Sequence, residues 1–430
     1  MPVELSAGAL DLTSLVRPGD TVIWSQGPSE PQCLTEALVK QRHHIGRFSA
    51  FLGSCYSKTF EPGHSDCIDF VGLGAVGYTR KILEAGALQV IPCHLSELGS
   101  MIRRREFRID VVLLQVSQRE EDGAFSYGAV CSYLPDAVRA ARTVVAEIND
   151  QAPWTGSFEG LDPKLISHCV RVSRPLFAVP SRESTAEDVA IAKNLAPLIE
   201  DGAILQVGIG TLPNAILAEL RGHRDLGIHS GVIGDGVVKL IEAGVVTNAS
   251  KTIDRGVSVT GGLFGTRMLN QFAHRNPTIR VDSVSYTHRP NVLASFKSFT
   301  AINSAIEIDL FGQINSETAN GKYVGTIGGQ TDFVRGTRVS ERGRSILAMS
   351  ARVSAQGQSR VVNALSSSFV TAARADTDTV VTEFGVAELR GQTVEERARR
   401  LIAIAHPDDR ECLSRGWTAA RVAGCRVESR

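Results

Sequence analysis

Two stretches of this chain are written to one plan, and the repetition narrows the folds open to it. Residues 20–38 run from an apolar strand, Asp20-Thr-Val-Ile-Trp24, through a loop holding Gly27 to Pro31 and a helix carrying Leu34 and Leu38. Residues 202–220 repeat that order with Gly202-Ala-Ile-Leu-Gln-Val207, a loop holding Gly208 and Gly210, Pro213, then Ile216 and Leu220. Apolar residues four apart share one helix face. Each proline suits a first helical turn, where its missing N–H costs nothing. Any two strand–loop–helix units look somewhat alike, yet the simplest reading is an internally duplicated α/β chain whose paired loops face a divided ligand site.

Length supports this. A chain of 430 residues exceeds what one core usually fills, so two domains of roughly 200 residues are expected. We place them at 1–180 and 181–430, with the irregular segment 174–183, holding Pro175, Pro180 and Ser181, as the linker. In the first half, strand-like runs Val111-Val-Leu-Leu-Gln-Val116 and Thr143-Val-Val-Ala-Glu-Ile148 alternate with helical stretches at 78–86 and 134–142. The second half continues with a strand near 203–209, helices at 213–221 and 235–243, the apolar run Ala305-Ile-Glu-Ile-Asp-Leu310 and a strand Thr379-Val-Val-Thr-Glu383. Short apolar strands separated by helices predict mostly parallel sheets covered on both faces. Ser184-Thr-Ala-Glu187 and Thr393-Val-Glu-Glu396 read as capping boxes, the second opening a helix at 396–405. Pro197 is expected to kink the helix that follows the first.

Charge and cysteine usage exclude several classes. The 46 basic side chains balance 46 acidic ones, leaving no net field to hold nucleic acid or an anionic membrane. No signal-type N-terminus and no apolar run of about 18 residues is present, so a cytoplasmic protein without membrane or nucleic-acid partners is expected. The 8 cysteines form no Cys-x-x-Cys pair and no zinc-type spacing with histidine, which fits scattered reduced thiols and no metal.

Three loops could carry chemistry. Gln206-Val-Gly-Ile-Gly210 leads from a buried strand into a helix, where free backbone N–H groups attract phosphate or a developing oxyanion. As a dinucleotide fingerprint it fails, because the third glycine would fall at Pro213; a plain tight turn is the competing reading. Gly325-Thr-Ile-Gly-Gly-Gln330, followed by Asp332 and Arg335, is a second glycine cluster. In Asn303-Ser-Ala-Ile-Glu-Ile-Asp-Leu-Phe-Gly-Gln313, Glu307 and Asp309 share parity and so one face, either as a structural network or as part of a site.

Taken together, Gln206–Ala215, Asn303–Gln313, Gly328-Gly-Gln-Thr-Asp-Phe-Val-Arg-Gly336, Val381-Thr-Glu-Phe-Gly-Val-Ala387 with Leu389-Arg-Gly391, and Ile404-Ala-His-Pro407 make the chain resemble the acetyl-CoA hydrolase/transferase family. Members include 4-hydroxybutyrate and butyrate:acetate CoA-transferases. Ser29-Glu-Pro31, Val116-Ser117, Asp122-Gly123 and Ala146-Glu-Ile-Asn-Asp-Gln151 extend the resemblance into the first half. It implies two similar open α/β domains of CoA-transferase type with the active site between them, and a homodimer or higher homo-oligomer. Coenzyme A and acyl-CoA are then substrates rather than permanently bound cofactors. CoA contacts are implied at Gln206, Val207, Gly208, Ile209 and Gly210, and around Asn303, Ile306, Gly328 and Gly329. Members of the family use a glutamate to attack the acyl-CoA carbonyl, since the resulting mixed anhydride can be opened by CoA thiolate.

One departure matters. Where the resemblance implies His-Thr-Glu-Met-x-x-Asp-Gly, the chain reads His229-Ser-Gly-Val-Ile-Gly-Asp-Gly236, so Gly231 stands at the nucleophile's position. Three readings follow. CoA transfer between small carboxylic acids proceeds without the glutamyl-CoA intermediate, by direct attack or through Glu307 or Asp235, although Asp235 also suits a helix cap. Alternatively, water fills the gap beside Ser230 and His229 or Glu307 acts as base for thioester hydrolysis, although His229 also suits a hydrogen-bonded structural role. The third reading is a non-catalytic acyl-CoA binder. Transfer ranks first, and a nicotinamide dehydrogenase trails all three. Met101, Trp154, Leu263 and Phe264 are candidates to line the acyl pocket, while Arg103–Arg105, Arg397–Arg400 and His406 read as solvated surface.

Overall fold

The computed structural model describes residues 2–179, 182–354 and 357–424. Its strands assemble into two large sheets. Edge to edge, the first runs Val3–Glu4, His168–Val172, Thr143–Asn149, Val111–Gln118, Thr21–Trp24, Phe48–Leu52, Ile68–Gly72 and Leu88–Val90, all parallel, with the short strand Phe125–Ser126 added antiparallel to Val111–Gln118. The second runs Ile279–Val281, Ser258–Thr260, Gly227–Ser230, Ile204–Val207, Phe299–Asn303, Arg344–Ala348, Thr379–Thr382 and Gly385–Glu388, parallel up to its antiparallel last member.

The duplication is visible in that order. In each sheet the first strand of the repeat, Thr21–Trp24 or Ile204–Val207, lies centrally, with the next three strands of the chain on one side and the later ones on the other. A helix follows each: Gln32–Ile45 begins directly after Pro31, whereas Thr211–Glu219 begins two residues before Pro213. Either place spares a backbone N–H that has no helical acceptor.

Alternation along the central strands explains the packing. Ile23 of the first sheet and Leu205 and Val207 of the second point into one apolar body that also takes in Phe51, Leu114, Ile228, Ile302 and Val381, so the two halves share a continuous core. Their neighbours in sequence, Val22 and Trp24, face a separate cluster with Leu34, Leu38 and Phe48; Ile204 joins Phe296, Phe299 and Phe333 on the far side of the second sheet.

Several local expectations shift. The capping box after the linker is Thr185 with Asp188, one residue on from the expected pair, each side chain accepting from the other's backbone N–H at 3.1 and 3.0 Å. Pro197 ends that helix in a 3-10 turn rather than kinking it. The helix expected at 396–405 begins at Val394, two residues earlier, with Thr393 as its cap, and a further helix, Pro407–Gly424, follows it. The run 305–310 contributes Glu307–Asp309 to a separate three-stranded sheet and not to the main one. Pro180 and Ser181 of the expected linker and Cys425 lie outside the described residues. Among the described residues, no helix is long and apolar enough to cross a membrane.

Candidate active site

The carboxyl ends of the central parallel strands in both sheets open onto one cleft of about 320 Å³. From the first sheet come Gln26, Gly53-Ser54 and Leu73-Gly74, each just past a strand end; from the second come Gly208, Gly231, Gly261 and Asn303. Open α/β sheets bind ligands at this edge, because the loops there diverge and leave backbone groups unpaired. The second glycine cluster supplies a wall through Thr326, Gly328, Gly329 and Gln330. It is stitched to the first half: Ala75 N–H and Leu95 N–H donate to the Gly325 and Gly328 carbonyls at 2.9 Å each, and Thr326 Oγ1 donates to Leu73 O at 2.6 Å. Ser96 Oγ donates to Asp332 at 2.6 Å.

Amides order the mouth. Gln206 and Asn303 face each other across adjacent strands, with Asn303 Nδ2 donating to Gln206 Oε1 at 3.0 Å. On the opposite wall Gln26 accepts from Ser54 N–H at 2.9 Å and donates to Ser132 Oγ at 3.0 Å. Phe264 reaches across so closely that a Cβ on Gly27 would lie 2.8 Å from its ring, at a φ of +59°. Only glycine fits this loop of the first repeat.

Among the described residues lining the cleft, none is Asp, Glu, Lys or Arg. Burial of a carboxylate there would lack a partner, and the structure sends the expected acids elsewhere. Glu307 Oε1 accepts from Asn315 Nδ2 at 2.9 Å and from the Ser366 N–H and hydroxyl at 2.9 and 2.8 Å, a satisfied structural network away from the lining. Asp235 opens the helix Asp235–Glu242 and holds Thr266 N–H at 3.0 Å. Ser230 bridges strands by donating to Val207 O at 2.9 Å. His229 is fully buried behind the sheet, its Nε2 donating to Thr287 O at 3.0 Å and its ring 4.9 Å from Phe296, so it does not reach the cleft. Burial drives its pKa well below the ordinary value, with Lys251 adding to the effect. Neither expected base is therefore placed to serve water at the gap.

Of the expected CoA contacts, Gln206, Gly208, Ile209, Asn303, Gly328 and Gly329 line the cleft. Val207 is buried beneath it, Gly210 caps the helix Thr211–Glu219 at φ +122°, and Ile306 is half-buried, its N–H donating to Asn315 O at 2.9 Å. Of the candidates for the acyl pocket, Phe264 lines the cleft, whereas Leu263 is buried and Trp154 lines a separate surface groove beneath Arg119.

Gly231 sits at the mouth of its strand, and a Cβ built there would lie 3.2 and 3.3 Å from the Cε1 and Nε2 of His288 and 3.3 Å from Phe333. The imidazole of His288 thus borders the space that a side chain at 231 would enter. Its ring lies 4.3 Å from that of Phe333, tilted by 43°, and burial holds its pKa down to about 3, so it is neutral at physiological pH.

Two family models match, the acetyl-CoA hydrolase/transferase N-terminal domain over residues 7–167 and the C-terminal domain over residues 265–416. The chain belongs to the acetyl-CoA hydrolase/transferase family. It is 37% identical over 399 residues to the 4-hydroxybutyrate coenzyme A transferase of Clostridium kluyveri, covering 91% of this chain and 92% of that protein. Among solved structures, RipA from Yersinia pestis superposes with a TM-score of 0.90 at 30% identity, covering 95% of this chain and 96% of that one. The 4-hydroxybutyrate CoA-transferase of Porphyromonas gingivalis gives 0.81 at 32% identity, covering 97% and 98%.

Within this family fold, Gln26, Ser54, Tyr56, Ser132 and His288 are cleft residues that sequence reasoning passed over. For Gln26 a signal existed, since it follows the strand of the first repeat as Gly208 follows that of the second. His288, in Tyr286-Thr-His-Arg-Pro290, carries no motif; only the fold brings it to Gly231.

Proposed function

We propose that this protein is a CoA-transferase that moves coenzyme A between small carboxylic acids without a glutamyl-CoA intermediate. The observation that carries this reading is the cleft itself: glycine loops from both sheets converge on a cavity whose described lining includes Gly231 and holds no carboxylate. A covalent route needs a nucleophilic side chain at the acyl carbonyl, and glycine has none. In a ternary complex the acceptor carboxylate attacks the thioester carbonyl directly, forming a mixed anhydride and CoA thiolate; the thiolate then attacks the acceptor-derived carbonyl, breaking the anhydride C–O bond to give the acceptor's CoA ester and release the donor's carboxylate. Holding both substrates in register is worth roughly 7–11 kcal/mol of the barrier.

The walls also speak to the acyl group. Leu73, Val76, Val130, Val232, Phe264 and Phe333 make them mainly apolar, and the described lining holds no cation to pair a second carboxylate. The reading is therefore of uncharged acyl groups, with dicarboxylic acyl-CoAs as poor substrates.

The test is to incubate the protein with butyryl-CoA, with and without acetate, and follow new CoA esters. Acceptor-dependent ester formation with intersecting double-reciprocal plots supports the reading. Parallel plots together with a CoA adduct on an enzyme carboxylate overturn it.

A second reading, hydrolysis, is favoured by one observation: the cleft offers water a neutral imidazole at Gly231.

A further inference from the structure

We propose that His288 is a catalytic residue of this site, acting as general base for a water in the cleft beside Gly231 and Gly329, and that it gives the protein an acyl-CoA hydrolase activity of its own. This rests on the reading that acyl-CoA binds in the cleft, but not on the transfer step.

The hydrogen bonds around Thr287 set the tautomer of His288. His288 Nδ1 lies 2.8 Å from Thr287 Oγ1, and that hydroxyl donates its single proton to Ser283 O at 3.0 Å. Ser283 O also accepts the Tyr286 and Thr287 N–H groups, but Nε2 has no acceptor within reach among the described residues, so the tautomer that leaves no N–H unpaired puts the imidazole proton on Nδ1 and a bare lone pair on Nε2. Among the described residues Nε2 makes no hydrogen bond. Two residues without side chains bracket it: a Cβ on Gly329 would lie 2.4 Å from Nε2, and one on Gly231 would lie 3.3 Å away. Any side chain at 329 would cover the lone pair. With glycine at both 231 and 329, no side chain stands between Nε2 and the cleft that all three residues line, and a cleft water can approach the lone pair to the roughly 2.6–3.2 Å that proton transfer requires.

Nothing else in the cleft competes for that role. Among the described residues of its lining, Tyr56 is the only other titratable side chain, and burial makes its phenol harder to ionise. A buried histidine with both nitrogens satisfied would be structural. His288 is not satisfied, and its free nitrogen faces the cavity where the family chemistry occurs.

The step balances without any further reactant. The water oxygen bonds to the thioester carbonyl carbon as Nε2 takes one of its protons. The tetrahedral intermediate then breaks its C–S bond, and the Nε2 proton passes to the departing CoA sulfur. A carboxylic acid and CoA thiol are released, with nothing oxidised or reduced. Thr287 and the Ser283 carbonyl are positioning groups that fix the tautomer.

The experiment measures thiol release from butyryl-CoA without acceptor by the full-length protein, by His288→Ala and by His288→Asn. Melting temperature and CoA affinity are recorded for each. The proposal expects wild-type hydrolysis, a loss of about a hundredfold or more in kcat in both variants with CoA affinity kept, and saturable rescue of His288→Ala by added imidazole. Variants that hydrolyse as fast as wild type overturn it. A loss that imidazole does not restore, accompanied by a lowered melting temperature, also overturns it by making the residue structural. Wild-type protein that forms acceptor-dependent CoA esters but releases no thiol overturns the base while leaving the transfer reading intact. Protein that binds and converts no acyl-CoA removes the proposed function itself.

Discussion

Two histidines lie on opposite sides of one threonine, and the contrast between them separates structure from chemistry. His229 points behind the second sheet, where its Nε2 donates to the Thr287 carbonyl; His288 points into the cleft, where its Nδ1 donates to the Thr287 hydroxyl. Their exposures are 0% and 2%, and burial lowers the pKa of both. A depressed pKa therefore identifies neither as functional. What differs is the atom left over. The free nitrogen of His229 is Nδ1, enclosed in the core without a partner. That of His288 is Nε2, bordered by Gly231 and Gly329 at the cavity.

The strongest way to break the contrast is to restore the acid. Gly231→Glu alone places a Cβ 3.2–3.3 Å from both His288 and Phe333, a contact tighter than a packed core accepts without movement. It should destabilise by about 1–3 kcal/mol and gain no transferase activity. Combined with His288→Asn, which removes the far edge of the ring, the introduced carboxylate enters the cleft. Intact-mass measurement after incubation with acyl-CoA should then show a covalent CoA adduct, and acceptor-dependent transfer should rise roughly a hundredfold or more over the single variant. If Gly231→Glu alone is as stable and as active as the pair, His288 does not occupy the space described.

His229→Phe sharpens the other side. It keeps the ring against Phe296 but leaves the Thr287 carbonyl without its donor, which should cost about 1–3 kcal/mol. Chemical denaturation reads that loss, while thiol release per folded molecule should stay within about threefold of wild type. A collapse of catalysis at unchanged stability would put His229 back among the catalytic groups.

Acid stability distinguishes the pair from ordinary surface groups. With a folded pKa near 3 against 6.5 for the free side chain, native His288 binds fewer protons than the unfolded chain between those values. Its contribution is thus fully present above pH 6.5 and is lost as pH falls toward 3, at up to about 1.4 kcal/mol per pH unit. Glu147, raised to about 7 by burial against the opposing pull of Arg174, works the other way between pH 7 and 4.5. The comparison must therefore be made between wild type and His288→Asn, in which Glu147 cancels. Arg103, Asp136, Arg139, Glu159 and Arg289 border His288 on its far side, and Asp136 and Glu159 are paired with Arg103 and Arg139. Denaturant melts from pH 7 to 5 should show the variant losing less stability than wild type. Parallel curves would mean that His288 titrates normally in the folded state.

The same geometry shows what the sequence could and could not reveal. The repeat at Thr21–Trp24 and Ile204–Val207 was legible, because strand, loop and helix are local patterns, and both became the central strands of equivalent sheets. Gly231 was legible as a departure within a short motif. The partners of that glycine were not. His229 and Ser230 adjoin it in sequence, but Ser230 faces the other side of the strand, and His229, which shares the parity of Gly231, lies one step deeper with its ring against Phe296, so neither reaches the cavity. Equal parity placed Glu307 and Asp309 on one face without saying that Asn315, Ser366 and Gln313 would satisfy them. His288 comes to Gly231 through the helical turn Val284–Thr287, a tertiary contact with no periodic signature.

The smallest effect is also the most specific to the tautomer. In Thr287→Val the β-branched shape is kept and the hydroxyl is lost, so His288 Nδ1–H loses its acceptor while His229 keeps the Thr287 carbonyl. The proton can then redistribute between the two ring nitrogens, and the share of molecules with a bare Nε2 falls. Hydrolysis should drop about five- to tenfold, equivalent to about 1 kcal/mol, with transfer to acetate less affected because an acceptor carboxylate needs no base. Nitrogen-15 shifts of the two rings would register the change at His288 alone. If the variant hydrolyses like wild type while the shifts show the proton moved to Nε2, then the lone pair at Gly231 is not what water uses, and the two histidines differ in position but not in role.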